Sequence, residues 1–420
     1  MCSTLKCMTE QITFSSLDLT TPVQEAIEEL GFTEPTPIQQ QAIPEGCKGR
    51  DILAAAQTGT GKTVAFLLPI FDQMVRHWGS KRPTGNKGPY ALILTPTREL
   101  ANQIADCAQT IAKHCDFRVQ CIIGGVKYEK QIKNLKQGCD ILIATPGRLL
   151  DLMNQKACRL DKVRYLVLDE VDRMVDMGFW PSVHTLCKAS TGKHQTFLFS
   201  ATFTPALEAK TGLLVQDPAR IEISHKGETA ETVEEFLIPV SWNQKQNLLV
   251  ALLKEQGAKR VLVFTPTKIE ADACSRRLEK EGIKADSIHS DKNQGKRNKA
   301  LRDFREGKID VLVATDVLAR GIDINEVSYV INYTVPTSPE DYVHRIGRTG
   351  RAGETGRAYT FMSPDQLLEL REIEYFTKKL LTNYEVEGFE FDDSRLVPDP
   401  KRPTKKISRR GRRPLRIGRR

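Results

Sequence analysis

The sequence predicts an α/β protein of two tandem parallel-sheet domains with a cleft between them, ending in a disordered basic C-terminal tail. Three observations predict it. The chain has 420 residues, enough for two buried cores and a short tail. Short runs rich in Val, Ile and Leu alternate with longer segments of helical patterning, as buried parallel strands and their crossover helices do. The two halves also echo each other. Leu92-Ile-Leu-Thr-Pro-Thr-Arg98 matches Leu262-Val-Phe-Thr-Pro-Thr-Lys268, and Asp140-Ile-Leu-Ile-Ala-Thr145 matches Asp310-Val-Leu-Val-Ala-Thr315, both 170 residues apart. Duplication of one α/β unit explains two matches at one offset better than chance alignment of apolar strands.

Residues 1–11 read as an N-terminal extension without an apolar run. The first domain, 12–222, offers strands at Asp51–Ala55, Ala91–Thr95, Asp140–Thr145, Tyr165–Asp169 and Phe197–Ser200. The polar stretch 223–232 is the expected linker. The second domain, 233–385, offers Arg260–Thr265, Asp310–Thr315, Ser328–Asn332 and Arg357–Phe361, and 386–420 is the expected tail. No stretch reaches the roughly 18 uninterrupted apolar residues of a membrane span. The longest apolar block, Val64–Phe71, suits a core helix, so a soluble cytoplasmic protein without a membrane partner is expected.

Ten cysteines are scattered, nine of them before residue 190, and none forms a C-x-x-C pair. That pattern fits reduced thiols in a reducing compartment rather than a zinc or redox site. The net charge of +9 is a property of the tail: residues 401–420 hold eleven Lys or Arg and no acid, and subtracting 11 from 9 leaves −2 for residues 1–400. Residues 392–420 lose apolar periodicity and end in the run Arg409 to Arg420, which reads as a disordered basic arm that tethers a polyanion electrostatically, or as a solvated tail without a partner.

Asp51–Ala55 is followed by Ala56-Gln57-Thr58-Gly59-Thr60-Gly61-Lys62-Thr63 and then by the apolar helix pattern from Val64. Strand, glycine-rich loop and helix are the context a phosphate loop requires. Gly59 and Gly61 let backbone amides approach phosphate oxygens, and the helix N-terminus favours the same anion. Lys62 would meet the β and γ phosphates, and the Thr63 hydroxyl would hold Mg²⁺. Tyr165-Leu-Val-Leu-Asp169 is an apolar strand ending in a carboxylate placed to hold the metal or its waters, and Glu170 is the candidate general base.

Further motifs lie on either side of this pair. They include Gly31-Phe-Thr-Glu-Pro-Thr-Pro-Ile-Gln39 with Phe14 upstream, Pro96-Thr-Arg-Glu-Leu-Ala101, Gly124-Gly125, Thr145-Pro-Gly-Arg148 and Ser200-Ala-Thr202. The second half adds Phe264–Thr267, Gln294–Arg297, Ala314-Thr-Asp-Val-Leu-Ala-Arg-Gly-Ile-Asp323 and His344-Arg-Ile-Gly-Arg-Thr-Gly-Arg351. With these motifs in this order, from about Phe14 to about Phe361, the chain resembles the DEAD-box RNA helicases of superfamily 2, whose two domains are RecA-like.

The resemblance implies ATP and Mg²⁺ as cofactors and RNA as partner. It implies that Gln39 reads the adenine edge while Phe14 stacks on its face, and that Asp323 holds the ribose. Thr97, Arg98, Gly124, Gly125, Thr145 and Arg148 would grip RNA backbone, joined from the second domain by Phe264, Thr267 and Thr315. Such groups hold phosphates without reading bases, so little sequence preference is expected. Arg348 and Arg351 would act as arginine fingers. Asp172, Ser200, Thr202 and His344 would couple the domains, which ATP and RNA would close together. Phe179 falls where the family's strand-kinking helix lies.

Two departures stand out. The family's Asp-Glu-Ala-Asp tetrad is Asp169-Glu170-Val171-Asp172, and His289-Ser-Asp291 has serine where glycine is usual. The minimal core and short basic tail are most similar to the bacterial RhlE and RhlB type, with RhlE slightly preferred. A monomer with ribosome-assembly or RNA-decay partners suits that type. An ATP-locked RNA clamp and a DNA translocase on the same fold are the rival readings.

Overall fold

The computed structural model describes residues 13–56, 59–79, 89–223, 233–315, 327–350 and 355–404. The chain divides into two compact units, Met1–Ser224 and His225–Arg420. The extension 1–11 and the segment 224–232 lie outside the described residues.

In the first unit the strands are β1 Ile52–Ala55, β2 Ala91–Leu94, β3 Val119–Ile122, β4 Ile141–Ala144, β5 Tyr165–Leu168, β6 Gln195–Ser200 and β7 Ala219–Glu222. They lie in the order β3-β4-β2-β5-β6-β1-β7, every pairing parallel. The second unit has β8 Val233–Pro239, β9 Val261–Thr265, β10 Ala285–Ile288, β11 Val311–Thr315, β12 Tyr329–Asn332, β13 Gly356–Met362 and β14 Thr382–Asn383. Their order, β10-β11-β9-β12-β13-β8-β14, is the first order with each number raised by seven, again all parallel. The repeated topology is what duplication of one unit leaves behind.

The central strands carry runs of apolar residues on both sides because helices cover both faces of their sheets. In the first unit Ile93, Ile141, Ile143, Val167, Phe197 and Phe199 join the core on one face. Their neighbours Leu92, Leu94, Leu142, Leu166, Leu168 and Leu198 join the core on the other. The same alternation sends Val261, Val263 and Ile331 to one side of the second sheet and Leu262, Leu312 and Val330 to the other.

The five strands that the apolar runs do not reveal are β3, β7, β8, β10 and β14. Four of them are sheet edges, and β8 lies next to one. An edge strand has a half-solvated face, so it carries polar residues such as Gln120, Arg220, Glu222 and Asp286 and loses the continuous apolar signature.

Two segments are tied down by buried charge. Asp72, inside the helix Lys62–Trp78, is fully buried. One of its carboxylate oxygens accepts the Thr20 amide at 2.6 Å and the other accepts Arg76 Nε at 2.7 Å. Arg76 Nη2 in turn donates to the Asp18 carbonyl at 2.6 Å. The stretch that carries Phe14 is thereby fastened to the helix that begins at the phosphate loop.

The expectation of a disordered tail from residue 386 does not hold for 386–404. Val386 is buried in the second unit's core, and Phe389 and Phe391 pack on it. Arg402 is buried, and its Nε donates to both oxygens of Glu374 at 3.0 Å. Arg371 meets the same carboxylate at 3.2 Å. Spaced aromatics and one arginine, without helical or strand periodicity, give a strap that patterning does not show. Residues 405–420 lie outside the described residues.

Replacing Asp72 with Asn keeps an acceptor for Thr20 but removes the charge that Arg76 meets. It is expected to cost about 1–2 kcal/mol, read as a lower unfolding midpoint and faster amide exchange over 14–20. Arg402→Ala leaves Glu374 buried with one cation fewer and should cost about 2–4 kcal/mol in denaturant unfolding. Truncation after residue 404 should leave the midpoint unchanged.

Candidate nucleotide site and nucleic-acid interface

In the first unit the motif residues fall at the carboxyl ends of the strands, the edge where open parallel sheets bind ligands. Ala56 follows β1, and its amide donates to the Ser200 carbonyl at the end of β6 at 2.9 Å. Gly59 and Gly61 have φ of 85° and 92°. Gly61 is needed for a second reason: a Cβ there would stand 2.4 Å from Gln39 Nε2 and 2.9 Å from Thr36 Oγ1. Gln57 and Thr58 lie outside the described residues.

The helix Lys62–Trp78 begins at this loop, with Thr63 in its first turn. Lys62 is 6% exposed, and its Nζ has no hydrogen-bond partner among the described residues. It lies 3.9 Å from Oδ1 of Asp169, which is 2% exposed. Burial pushes the Asp169 carboxyl above the usual carboxylate range, against the pull of Lys62. A buried ammonium without a hydrogen bond, aimed at a carboxylate beside a helix N-terminus, fits an anionic phosphate ligand. Among the described residues no group of three or more His, Cys, Asp or Glu is placed to hold a metal. Mg²⁺ would therefore rest on Thr63, Asp169 and oxygens brought by the ligand or water.

Glu170 takes the left-handed conformation, φ 54°, which is unusual for a residue with a side chain. It is buried, with Oε2 at 3.5 Å from Arg173 Nη1. Arg173, also buried, is a contributor that the motif scan missed, because a basic residue in an acidic turn carries no signature by itself. Asp172 accepts the Ala201 amide at 3.0 Å, and Ser200 Oγ donates to the Thr202 carbonyl at 2.7 Å, so the acidic turn and Ser200–Thr202 are joined. Val171 is fully buried in the core with Leu168, Met174 and Leu198, where its two methyl groups fill apolar space.

The residues expected to read adenine lie beside the loop. Gln39 is buried, with both polar ends engaged. Its Oε1 accepts the Thr36 amide at 2.9 Å, and its Nε2 donates to the Gly61 carbonyl at 3.1 Å. Thr36 Oγ1 donates to the Thr60 carbonyl at 2.7 Å, a second tie to the loop. Phe14 is only 6% exposed and packs in the core, 6.5 Å from the ring of Phe32, which is 39% exposed. The accessible aromatic face therefore belongs to Phe32, with Phe14 behind it.

The expected RNA contacts of the first unit converge. Thr97 caps the helix Arg98–Cys115 by accepting the Leu100 amide. The Arg98 guanidinium lies over Gly124 and Gly125: a Cβ on Gly125 would stand 2.4 Å from Arg98 Nη1. Arg148 Nη1 donates to the Val126 carbonyl at 2.6 Å, and its Cζ sits 4.0 Å over the ring of Tyr128, an aromatic that the motifs did not flag. Thr145 precedes the helix Pro146–Asn154, and its amide donates to the Ile122 carbonyl at 3.0 Å. Phe179 is partly buried against the core, between the short helix Val171–Asp176 and the helix Trp180–Ala189.

The second unit changes one assignment. Phe264, expected to touch RNA, is 1% exposed and lies under Arg345, whose Cζ is 5.2 Å from its ring. Its apolar ring completes the core, so its side chain cannot reach a strand of RNA. Thr267 remains exposed at the head of the helix Lys268–Lys280, and Thr315 ends β11 in register with Thr265. Arg345 is structural: Nη1 donates to Asn332 Oδ1 at 3.1 Å. Arg348 is 3% exposed, and His344 is half-buried on the helix Pro339–Ile346. Thr349 Oγ1 donates to the Val327 carbonyl at 2.7 Å and anchors the arginine-bearing turn. A Cβ on Gly356 would stand 2.4 Å from the Gly350 amide nitrogen, so the turn packs directly on β13. Asp323 and Arg351 lie outside the described residues.

Comparison with known proteins gives two family matches, DEAD/DEAH box helicase over residues 36–209 and helicase conserved C-terminal domain over 244–353. The ATP-dependent RNA helicase CshA of Listeria monocytogenes is 42% identical over 366 residues, 87% of this chain and 69% of that protein. The ATP-dependent RNA helicase RhlB of Pseudomonas syringae is 44% identical over 365 residues, 86% of this chain and 91% of that protein. Among solved structures, S. cerevisiae Dbp5 bound to RNA and ADP BeF3 superposes with a TM-score of 0.79 at 30% identity, covering 89% of this chain and 96% of that one. Mss116 bound to ssRNA and UDP-BeF gives a TM-score of 0.81 at 28% identity, covering 90% of this chain and 81% of that one. The phosphate loop with its buried Lys62–Asp169 pair, the twin parallel sheets and these matches have one explanation, and the chain belongs to the DEAD/DEAH box helicase family.

Proposed function

We propose that this chain is an ATP-dependent RNA helicase that hydrolyses ATP when RNA is bound and locally separates short duplexes or remodels RNA–protein complexes. The observation that carries the reading is the buried Lys62 ammonium, without a hydrogen-bond partner among the described residues, beside Asp169 at the mouth of the phosphate loop. Relatives named as ATP-dependent RNA helicases and a neighbour solved with RNA support the rest.

In this reading Lys62 and the loop amides bind the β and γ phosphates, and the exposed ring of Phe32 carries the base while Gln39 reads its edge. Thr63 and Asp169 would hold Mg²⁺, partly through water, and the ion would supply positive charge against the phosphate oxygens. Glu170 accepts a proton from the attacking water, oriented by its left-handed backbone and by Arg173. Arg348 and Arg351 of the second unit act on the phosphate charge that develops in the transition state. Asp172, through the Ala201 amide, carries a change at the acidic turn to Ser200–Thr202, and His344 belongs to the same coupling. Arg98, Arg148 and the Gly124-Gly125 backbone hold sugar-phosphate without reading bases. The reading extends to a monomer acting in the cytoplasm, in keeping with eight described cysteines that are all free thiols.

RNA-stimulated phosphate release is the decisive measurement. Glu170→Gln should lower it by about 10²- to 10⁴-fold with ATP binding retained. Arg348→Ala should lower it by about 10³-fold or more. Normal hydrolysis by Arg348→Ala, or an ATPase indifferent to RNA, would overturn the coupling. Removing residues 405–420 takes away nine Lys or Arg. It should weaken RNA binding and flatten its dependence on salt; an unchanged salt slope would remove the tail from RNA capture.

A further inference from the structure

The first sheet has an opposite edge, where the strands begin. An open cavity of about 1230 Å³ lies there, walled by the segments that lead into β1, β2, β5 and β6 and by residues just before β7. Lys162 and Arg164 enter it from the connection before β5, and Lys188 and Lys193 from the helix end and loop before β6. All four are exposed, and among the described residues none of them is paired with a carboxylate. Among the described residues Arg164 meets two rings, His77 at 3.4 Å and Trp78 at 5.9 Å.

Asp51, Asp161 and the exposed Asp217 share the wall, and among the described residues none of them pairs with these four cations. The two oxygens of Asp51 accept the amides of Thr196 and Gln216, each at 2.7 Å. Asp161 takes Arg159 at 3.1 Å. The concentration is not a by-product of general basicity, since residues 1–400 carry −2 in total. Like charges brought together without partners repel one another, and a polyanion relieves that repulsion by releasing its own counterions. The apolar members of the wall, such as Val163 and Cys187, are buried, and Leu213 is a single exposed side chain. A peptide-docking groove would instead offer a cluster of apolar anchor pockets.

We propose that this cavity is a second RNA-binding surface, in which Lys162, Arg164, Lys188 and Lys193 meet backbone phosphates of an RNA longer than the strand held at the carboxyl edge. The inference rests on the RNA-helicase reading and deepens it: the first unit holds RNA at both edges of one sheet, one for chemistry and one for retention. Contact is with phosphate alone, so it favours long structured RNA without favouring a sequence.

The test uses the full chain carrying Lys162→Gln, Lys188→Gln and Lys193→Gln together, with the three Lys→Arg changes as the charge-keeping control. Binding of a short single strand and of a long structured RNA is measured against salt, beside ATPase stimulated by the short strand. The Gln variant should lose about tenfold or more in affinity for the long RNA, and the slope of log K against log salt should fall by about 2, near 0.7 per lost contact. Short-strand binding, ATPase and melting temperature should match the parent, and the Arg variant should bind like the parent. Unchanged long-RNA affinity and slope would overturn the inference, as would loss of polyglutamate binding with RNA binding intact, which would assign the surface to an acidic protein segment. If the parent ATPase ignores RNA, the helicase reading itself fails, an outcome distinct from these.

Discussion

An ammonium buried beside a carboxylate, without a hydrogen bond among the described residues, is an arrangement that folding alone would not keep. Desolvating Lys62 and Asp169 is unfavourable, and their separation of 3.9 Å returns less than a direct hydrogen-bonded pair would. The surrounding structure is organised to hold the two in place. Asp169 ends a central strand with neighbours on both sides, and Lys62 opens a long helix whose apolar face runs through the first core. Three further contacts brace the loop between them: Ala56 to Ser200, Thr36 to Thr60 and Gln39 to Gly61. A site that destabilises the unliganded protein and fits a triphosphate is stabilised by binding it.

Much of this was legible in the residues because the chemistry is local. A glycine-rich loop between strand and helix, and an apolar strand ending in acid, each declare their structure within ten residues. What escaped depends on contacts distant in sequence. Edge strands β3, β7, β10 and β14 hide because half their surface faces solvent. The strap 386–404 hides because its anchors, Phe389, Phe391 and Arg402, follow no period. Burial was the other blind spot. Phe14 and Phe264 match family positions, yet the fold turns both rings into cores, leaving Phe32 as the accessible face beside one and Arg345 stacked on the other.

The repeated strand order shows how one scaffold supports two kinds of work. Both sheets present loops at the carboxyl ends of corresponding strands, β2 and β9 and again β4 and β11. In the first unit these loops carry arginines with their glycine partners. In the second Lys268 stands at the position of Arg98 and Leu318 at that of Arg148, while Arg345 lies on the helix Pro339–Ile346 and Arg348 in the turn just after it. Thr349 and the tight approach of Gly350 to Gly356 fix that turn on β13, so Arg348 is presented by a packed element rather than by a loose loop.

The bond from Gln39 Nε2 to the Gly61 carbonyl ties the helix Pro37–Cys47 to the phosphate loop. It uses one of the two hydrogens on that nitrogen, and the Thr36 amide uses one of the two lone pairs on Oε1. The side chain therefore keeps one donor and one acceptor to offer without giving up its hold on the loop. Whatever Gln39 would meet is then linked through a single amide to Gly61, the residue before Lys62, so the two ends of a bound nucleotide would be sensed by one rigid unit.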